Sequence, residues 1–349
     1  MSSAVEPDSG PAAQQATVPA GPGPELPELP TGLAHRASDL FGKYALVFVW
    51  IAMSLVYLGL RPHTFGSITA VRSVFGSQEV LIFLAFAALT TLMVGEFDLS
   101  FASVMGLGAT ITPVLAQIHH LNIALACLAG VAACVACGVV NAFFVVKLNV
   151  SSLVVTLGMG TLLIGIAEVV SSSNTVYLSS SSFVDFTQKM VLGMPVAFFY
   201  GLLLTLVFAY VCGWTPLGRH LLFVGASREV ARLAGIRVNR VRAGSYIVAA
   251  FIAGLAGVML DSSVGGYDPT ASATYLLPAL SAVFLGMAVV QPGQFNPVGT
   301  LIGIYFLETG IFGLQLLGFS GWIQNVFYGG GLVLSVALAT IVRQHARKA

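Results

Sequence analysis

The sequence predicts an all-α, polytopic membrane protein with about ten transmembrane helices and with both termini in the cytoplasm. Hydrophobic residues make up 57% of the 349 residues and charged residues only 8%, whereas soluble domains carry about 25% charged residues. Apolar runs of about 20 residues, long enough to cross a bilayer, recur along the chain. Six of the fifteen Lys and Arg residues are crowded into one segment, residues 214–242.

The apolar runs predict a membrane domain over residues 40–342. Residues 1–39 are mostly small and polar, with many Pro, Gly and Ala residues, and we expect a disordered cytoplasmic tail there because they can bury too little apolar surface. Residues 343–349 form a second cytoplasmic tail. The second and third spans lie close together, and either could be partial or re-entrant. The ten predicted spans are 44–60, 80–95, 101–118, 121–146, 153–170, 191–213, 243–260, 275–290, 298–317 and 322–342.

The distribution of positive charge predicts the orientation of these spans. With the N-terminus inside and ten alternating spans, twelve of the fifteen Lys and Arg residues face the cytoplasm. Only Arg61, Arg72 and Lys189 then face outward. This asymmetry is the one expected of membrane proteins, whose cytoplasmic loops are enriched in Lys and Arg. We therefore predict a multi-pass protein of the cell (inner) membrane.

The cationic segment (residues 214–242) is predicted to lie in water between the sixth and seventh spans. Six arginines inside the bilayer would cost on the order of 15–20 kcal/mol on insertion scales. Within this segment, residues 227–235 have the pattern of a short helix. Ser227 is a good N-cap, Glu229 suits the first turn, and Gly235 is a good C-terminal stop.

That short helix has two faces. Val230, Leu233 and Ala234 form an apolar face, and Arg228 and Arg232 form the opposite face. The pattern fits either a helix that lies at the lipid headgroups or a helix that docks in a groove on a partner protein.

Several polar residues within or between the apolar runs are candidates for a solute path or a gate. Acidic residues inside a membrane indicate function unless they are solvated, paired or capping a helix. Glu96 and Asp98 join the second and third spans, and Asp98 or Ser100 could cap the third. Glu308 lies deep in the ninth span, whereas Glu168 lies close to the outer end of the fifth. The path or gate candidates are Glu96, Asp98, Asn141, Thr156, Glu308 and Asn296.

Two short joints along the chain resemble each other. Residues 95–98 read GEFD between the second and third spans, and residues 293–296 read GQFN between the eighth and ninth. Both joints fall on the cytoplasmic side of the predicted topology. The likeness is compatible either with two related halves, as in many transporters, or with chance.

The sequence offers no signature of an enzyme. It contains no Ser/His/Asp set, P-loop or metal-ligand spacing, and no basic surface with interleaved aromatic residues for nucleic acid. Cys134 and Cys137 form a CxxC pair inside an apolar run, where small thiols are expected to pack rather than to bind metal. We predict no catalytic residue, no metal and no cofactor bound by this chain.

Spaced motifs over residues 40–342 resemble the ribose-type ABC importer permeases, the inner-membrane components of binding-protein-dependent transport systems. LGRHL at 217–221, VGA at 224–226 and EVARLAGIRV at 229–238 look like the cytoplasmic loop of that family. EFDLS at 96–100 resembles its early signature, and the stretch from NAF at 141–143 to VTLG at 155–158 resembles another conserved segment. AGLAG at 253–257 and GTLIG at 299–303 match as well.

The resemblance implies a type II-like fold of about ten helices, working as part of a larger assembly. It implies two permease subunits, identical or different, two ATP-binding cassette ATPase subunits that carry ATP and Mg, and an extracytoplasmic solute-binding protein. It also implies that residues 227–235 are the coupling helix seated on the ATPase, with roles for Ser227, Glu229, Val230, Arg232, Leu233 and Gly235.

The resemblance implies a sugar or a related polar solute as cargo. The family's Gly-Gly-rich stretch after the eighth helix is replaced here by GMAVVQPGQ at 286–294, and this departure leaves the solute open. Nucleosides, a signalling sugar and branched-chain amino acids remain alternatives. A transporter of another class, driven by protons with Glu308 as the carrier, is a further alternative.

Overall fold

The computed structural model describes residues 33–178 and 181–346, with side chains over 43–178 and 183–337. These residues are mostly helical, which confirms the predicted helical class. The α-helices are α1 (Leu33–Leu60), α2 (Pro62–Phe65), α3 (Ile68–Phe75), α4 (Glu79–Leu92), α5 (Phe101–Pro113), α6 (Ile123–Ala142), α7 (Ser152–Val170), α8 (Ser181–Gln188), α9 (Val196–Trp214), α10 (Pro216–Ala226), α11 (Arg228–Leu233), α12 (Val238–Val264), α13 (Ala273–Gly286), α14 (Pro297–Leu316) and α15 (Trp322–Ala346).

Short elements of other kinds join these helices. Two π-helical turns, Val114–Ile118 and Phe143–Lys147, extend α5 and α6. Four two-residue strands are present, namely β1 (Val176–Tyr177), β2 (Met190–Val191), β3 (Met194–Pro195) and β4 (Gly266–Tyr267). β1 pairs with β4 and β2 pairs with β3, both antiparallel. The sequence analysis predicted none of these strands.

Eight helical stretches among the described residues are long and apolar enough to cross a membrane. They are Lys43–Leu60, Ile68–Leu92, Phe101–Ile118, Ile123–Lys147, Ser152–Val170, Val196–Trp214, Val238–Val264 and Pro297–Leu316. The eighth predicted span corresponds to α13, which is apolar but has only 14 residues. The tenth predicted span lies within α15.

Four predicted span boundaries are wrong by several residues. The second span begins at Ile68 rather than 80, because α3 and α4 together form one long apolar stretch. The sixth span begins at Val196 rather than 191, because residues 190–195 form the β2–β3 hairpin. The seventh begins at Val238 rather than 243, so Arg240 and Arg242 belong to a helix and not to a loop. The eighth ends at Gly286, where the chain leaves the helix for a series of turns.

The predicted tails lie partly outside the described residues. The described part of the chain excludes residues 1–32 and 347–349 of these tails. Within the described part, residues 33–39 belong to α1 and residues 343–346 belong to α15.

The helices differ in how much of their surface other helices cover. Every residue of α4 is buried, and so are nearly all residues of α5. By contrast, α6, α7 and α9 each expose a face of large apolar side chains, including Leu128, Val154 and Leu203. A soluble protein would rarely leave such surface uncovered. This arrangement fits buried central helices surrounded by helices that face lipid or another subunit.

Glycines allow α12 to approach α5 and α6 closely. A Cβ atom on Gly257 would lie 2.8 Å from the Met105 carbonyl oxygen, and one on Gly254 would lie 3.2 Å from the Cα atom of Val131. The buried thiol of Cys134 lies at the same crossing and donates to the Val104 carbonyl oxygen at 3.1 Å. Small residues thus bring helix backbones together, as expected where lipid supplies no hydrophobic drive.

Helix α4 connects the two polar regions that matter for function. Its 14 residues span about 21 Å at the rise of an α-helix. Its C-terminal end leads into residues 93–100, which include the GEFD joint and are called the first joint from here on. Its N-terminal residue Glu79 lines a cavity. The two polar regions therefore lie at opposite ends of one buried helix.

Candidate functional site: a polar joint beneath the cationic segment

The cationic segment forms two short helices, each started by a hydroxyl cap. The Thr215 hydroxyl accepts a hydrogen bond from the Gly218 N–H at 3.4 Å and begins α10. The Ser227 hydroxyl accepts from the Val230 N–H at 3.4 Å and begins α11. Gly235 follows α11 with a positive φ of 78°, a conformation that glycine adopts without steric cost. The predicted short helix, its cap and its stop are therefore present.

Helix α11 presents apolar side chains to its surroundings. Leu233 is 84% exposed and Val230 is also exposed, while Ala231 is fully buried and holds the helix to the rest of the protein. Arg232 and Glu229 lie beside the apolar pair and are exposed as well. An exposed leucine at the tip of a short, capped helix is suited to insertion into a groove of another protein.

The first joint carries a carboxylate that binds two arginines of the cationic segment. The Glu96 side chain is only 3% exposed. Its Oε1 atom accepts from Arg228 Nη2 at 2.8 Å and from Arg242 Nε at 2.5 Å. Arg228 also donates to the carbonyl oxygen of Gly95 at 3.0 Å, and the Tyr246 hydroxyl donates to Glu96 Oε2 at 3.5 Å.

This cluster corrects the prediction that the whole cationic segment lies in water. The side chain of Arg242 is 8% exposed and lies in the first turns of α12. A buried guanidinium is tolerated because a carboxylate pairs with it, and removing one partner of such a pair costs about 3–5 kcal/mol. Arg228, by contrast, is 44% exposed and bridges the buried carboxylate to the surface.

Asp98 and Asn141 form a second group of contacts in the same joint. The backbone N–H and the hydroxyl of Ser100 both donate to Asp98 Oδ1, at 2.8 and 2.6 Å. Asn141 of α6 then donates from Nδ2 to the Ser100 hydroxyl at 2.8 Å. Burial raises the pKa of Asp98, and the hydrogen bonds from Ser100 and Phe101 act against that shift. Asp98 thus organises the turn that leads into α5. The N-cap residue of α5 is Ser100, whose side chain makes no capping hydrogen bond, so the predicted side-chain cap is wrong.

Thr156 attaches the same joint to α7. Its hydroxyl accepts from the Leu99 N–H at 3.0 Å and lies 3.2 Å from the Phe97 carbonyl oxygen and 2.8 Å from the Ser152 carbonyl oxygen. The Ser152 hydroxyl in turn accepts from the Phe97 N–H at 3.4 Å. Four of the six path or gate candidates, Glu96, Asp98, Asn141 and Thr156, therefore meet at one joint, which contacts α6, α7, α11 and α12.

Asn296 lies in the second joint (residues 287–296), where it caps a helix. Its Oδ1 atom accepts from the Gly299 N–H at 2.6 Å, and its Nδ2 atom donates to the Val289 carbonyl oxygen at 3.0 Å. These bonds begin α14 and hold the turns before it. A role for Asn296 in a gate remains a prediction.

The two joints share conformation as well as sequence. Gly95 and Gly293 both have positive φ, at 73° and 83°. Phe97 stacks on Phe284 with ring centroids 6.4 Å apart, and Phe295 meets the same ring edge-on at 5.5 Å. The likeness of GEFD and GQFN is thus accompanied by similar backbone geometry and by a shared aromatic neighbour.

Glu308 lies apart from the joint, toward the other end of the buried helices. Its Oε1 atom accepts from the Tyr328 hydroxyl at 2.6 Å. Glu308 and Tyr328 line a cavity of about 670 Å³ together with Glu79. The structure therefore separates Glu308 from the four candidates of the first joint.

Sequence reasoning missed three residues that form these regions. The sequence predicts Arg228 and Arg242 as charges of the cationic segment but not as partners of Glu96, and Glu79 is not among the predicted site residues. The sequence contains the same signal for all three residues. An ionisable residue directly beside or just inside an apolar run needs a partner, a ligand or water.

The first joint ties α6, α7, α11 and α12 together through its polar groups. It combines paired charges, hydrogen bonds and helix ends, and its polar groups hold one another. Among the described residues, no group of three or more His, Cys, Asp or Glu side chains could hold a metal ion.

Comparison with known proteins identifies similar chains. A family described as "Branched-chain amino acid transport system / permease component" matches residues 71–336. An L-arabinose ABC transporter permease protein of Azospirillum brasilense is 27% identical over 326 residues, which cover 93% of this chain and 96% of the relative. A ribose import permease protein of Bacillus subtilis (strain 168) is 29% identical over 262 residues, which cover 73% and 80%.

A further relative is named for a different solute. An autoinducer 2 import system permease protein of Escherichia coli (strain K12) is 31% identical over 260 residues, which cover 73% of this chain and 78% of the relative. No solved structure matches this chain. All three of these relatives are transport permeases, and none is named as an enzyme.

Proposed function

Since this chain belongs to the family of branched-chain amino acid transport system permease components, we propose that its polar joint couples an ATPase to the import of a sugar or a related polar solute. The chain is a multi-pass permease subunit of the cell membrane. Its relatives are named as permeases for arabinose, ribose and autoinducer 2, and these names favour a sugar over a branched-chain amino acid as the cargo.

The proposed topology has ten spans with both termini in the cytoplasm. In this arrangement α13 and α15 are the eighth and tenth spans, and the cationic segment faces the cytoplasm. The excess of Lys and Arg on that side supports this orientation. The cavity lined by Glu79 and Glu308 then opens on the outer side, because it lies at the opposite end of α4.

The proposed partners follow from the transport class. An ATP-binding cassette ATPase receives α11 in a groove, and ATP and Mg are bound by that partner rather than by this chain. A second permease subunit, identical or different, covers part of the exposed apolar surface. An extracytoplasmic binding protein delivers the solute to the outer side.

The contact between Arg228 and Glu96 carries the mechanism. When the ATPases close, α11 moves with them, and Arg228 pulls on both the Glu96 carboxylate and the Gly95 carbonyl. The first joint is itself bound to α5, α6 and α7 through Asp98, Asn141 and Thr156. A pull at Glu96 therefore acts on several helices at once, and α4 carries it toward the outer cavity.

Leu233→Asp tests the docking of α11. A carboxylate in an apolar groove is unfavourable unless it is paired, so we expect uptake and solute-stimulated ATP hydrolysis to be lost. The amount of permease in the membrane should stay normal, because Leu233 is exposed and contributes little to folding. The matched variant Leu233→Met keeps the apolar contact and should retain most of the uptake.

The outcome can contradict the proposal in two ways. Normal uptake by the Leu233→Asp variant would exclude α11 as the coupling helix. Uptake that stops with an uncoupler but continues after ATP depletion would exclude an ATP-driven importer and favour a proton-driven transporter.

A further inference from the structure

The cavity at the outer end of α4 has the polar lining of a solute site. Its volume of about 670 Å³ falls within the range of about 300–1,000 Å³ that is usual for small-molecule pockets. Its walls come from α4, α8, α12, α13, α14 and α15, so it lies where many helices converge. Polar side chains from four of these helices or from the turn before α4 face it, among them Gln78, Glu79, Tyr275, Glu308, Gln324 and Tyr328.

Glu79 is only partly satisfied in this lining, where a hydrogen bond from the Ser263 side chain acts on its carboxylate. The residue is 4% exposed, and its Oε2 atom is buried without a hydrogen-bond partner. A buried polar atom without a partner is unfavourable, and the penalty is larger for a charged group. A rotation of the Glu79 carboxylate that turns Oε2 toward the cavity would let a ligand hydroxyl donate to it and would remove that penalty. Glu79 therefore points to a ligand that carries hydrogen-bond donors.

Glu308 supplies a second carboxylate that is already oriented. The Tyr328 hydroxyl donates to its Oε1 atom at 2.6 Å and thereby fixes its position. The half-buried Glu308 side chain retains acceptor capacity toward the cavity, since a carboxylate can accept about four hydrogen bonds. Glutamine side chains nearby can both donate and accept, as hydroxyl groups of a ligand also do.

The sign of the charge in the lining limits the class of ligand. Two carboxylates line the cavity, and no Lys, Arg or His of the described residues does so. An anionic solute would be repelled, whereas a neutral solute with several hydroxyl groups would find acceptors and mixed donor–acceptor groups. Neutral amide and hydroxyl groups outnumber the two carboxylates in the lining, so a solute with several hydroxyl groups would find more hydrogen-bond partners there than a small cation would.

We infer that this cavity binds a neutral polyhydroxylated solute on the outer side of the permease and excludes anionic solutes, with Glu79 as its principal acceptor. This inference rests on the proposed function, because it assigns the place on the permease where the imported solute binds. It adds a specific anchor residue and a charge selectivity that the relatives' names do not provide.

Direct binding to the permease–ATPase complex in lipid nanodiscs, without the binding protein, tests the inference. The probe is whichever of tritiated D-ribose, L-arabinose or D-allose the complete system takes up. We expect Glu79→Gln to weaken binding about tenfold, as loss of a hydrogen bond to a charged group would. Glu168→Gln is the matched control, because this acid lies in apolar helix α7 and does not line the cavity; it should bind like the wild type.

Competition with a charged analogue provides a second measurement that does not depend on the amount of folded protein. Ribonate, which carries a carboxylate, should displace the probe from the wild type far less than unlabelled ribose does. Equal binding by Glu79→Gln and the wild type would overturn the inference, as would displacement by ribonate at the concentrations at which ribose displaces the probe.

Failure of this inference is distinguishable from failure of the proposed function. If uptake of the probe by the complete system continues after ATP depletion, the proposed function is wrong. If uptake depends on ATP but the complex without binding protein does not bind the probe, only the assignment of the cavity is wrong.

Discussion

The two ends of α4 both hold buried carboxylates, but only one end supplies them with cations. At the first joint, Glu96 binds Arg228 and Arg242 within 2.8 Å. At the cavity beside the N-terminal end of α4, Glu79 and Glu308 have no Lys or Arg in the described lining, and Glu79 Oε2 has no hydrogen-bond partner. The paired end resembles a mechanical link within the protein. The end that contains Glu79 has the features of a ligand-binding site.

This difference shows that burial of an acid does not by itself define its role. Glu96 is neutralised by its own chain, so its removal should damage the protein itself. Glu79 lacks such a partner, so its removal should affect a ligand more than the fold. The comparison can therefore be tested by making the same Glu→Gln substitution at each end of α4 and measuring the stability and the transport activity of each variant.

Glu96→Gln compared with Glu79→Gln gives the largest expected contrast. Neutralising Glu96 leaves the Arg242 guanidinium buried without a counter-charge, so we expect a loss of stability of about 3–5 kcal/mol. Neutralising Glu79 removes a poorly satisfied charge, so stability should be unchanged or should rise. Thermal unfolding of the purified variants in detergent measures both changes. Equal losses at the two positions would show that the pairing seen at Glu96 does not distinguish the ends.

Gly225→Ala compared with Gly244→Ala gives a smaller contrast that concerns the first joint alone. A Cβ atom on Gly225 would collide with the Met93 carbonyl oxygen at the end of α4, whereas one on Gly244 would meet nothing within 4 Å. Overpacking against a backbone atom costs about 1–3 kcal/mol, and alanine in an open helix position gains up to about 1 kcal/mol. The first variant should melt lower and the second slightly higher. A normal melting temperature for Gly225→Ala would mean that α10 does not rest on the end of α4.

The positions of the spans and the form of α11 could be predicted from the sequence. Long apolar runs are local features, and so are the Ser227 cap and the Gly235 stop. The early boundary of α12 could not be predicted in this way. Hydropathy placed Arg242 in water, but the structure buries it because Glu96, 146 residues earlier in the chain, neutralises it.

The composition of the candidate site was predictable only in part. Glu96, Asp98, Asn141 and Thr156 could be selected individually because each polar residue interrupts or borders an apolar run. Their meeting at one joint depends on how α6 and α7 pack beside α5, which a single sequence does not encode locally. Glu308 could be selected by the same reasoning. Glu79, which lines the same cavity, lies 229 residues earlier at the start of α4, so the sequence alone does not bring the two together.

The central claim, that Arg228 acts through Glu96, is tested most directly by a double-mutant cycle. Arg228→Ala, Glu96→Gln and the double variant are reconstituted with the ATPase and the binding protein, and the solute imported per ATP hydrolysed is measured. Arg219→Ala, an exposed arginine of the same segment, serves as the control and should keep the wild-type ratio. We predict that the double variant is no worse than Glu96→Gln alone, because both changes break one link. Losses that multiply in the double variant would contradict the account, since Arg228 and Glu96 would then act independently.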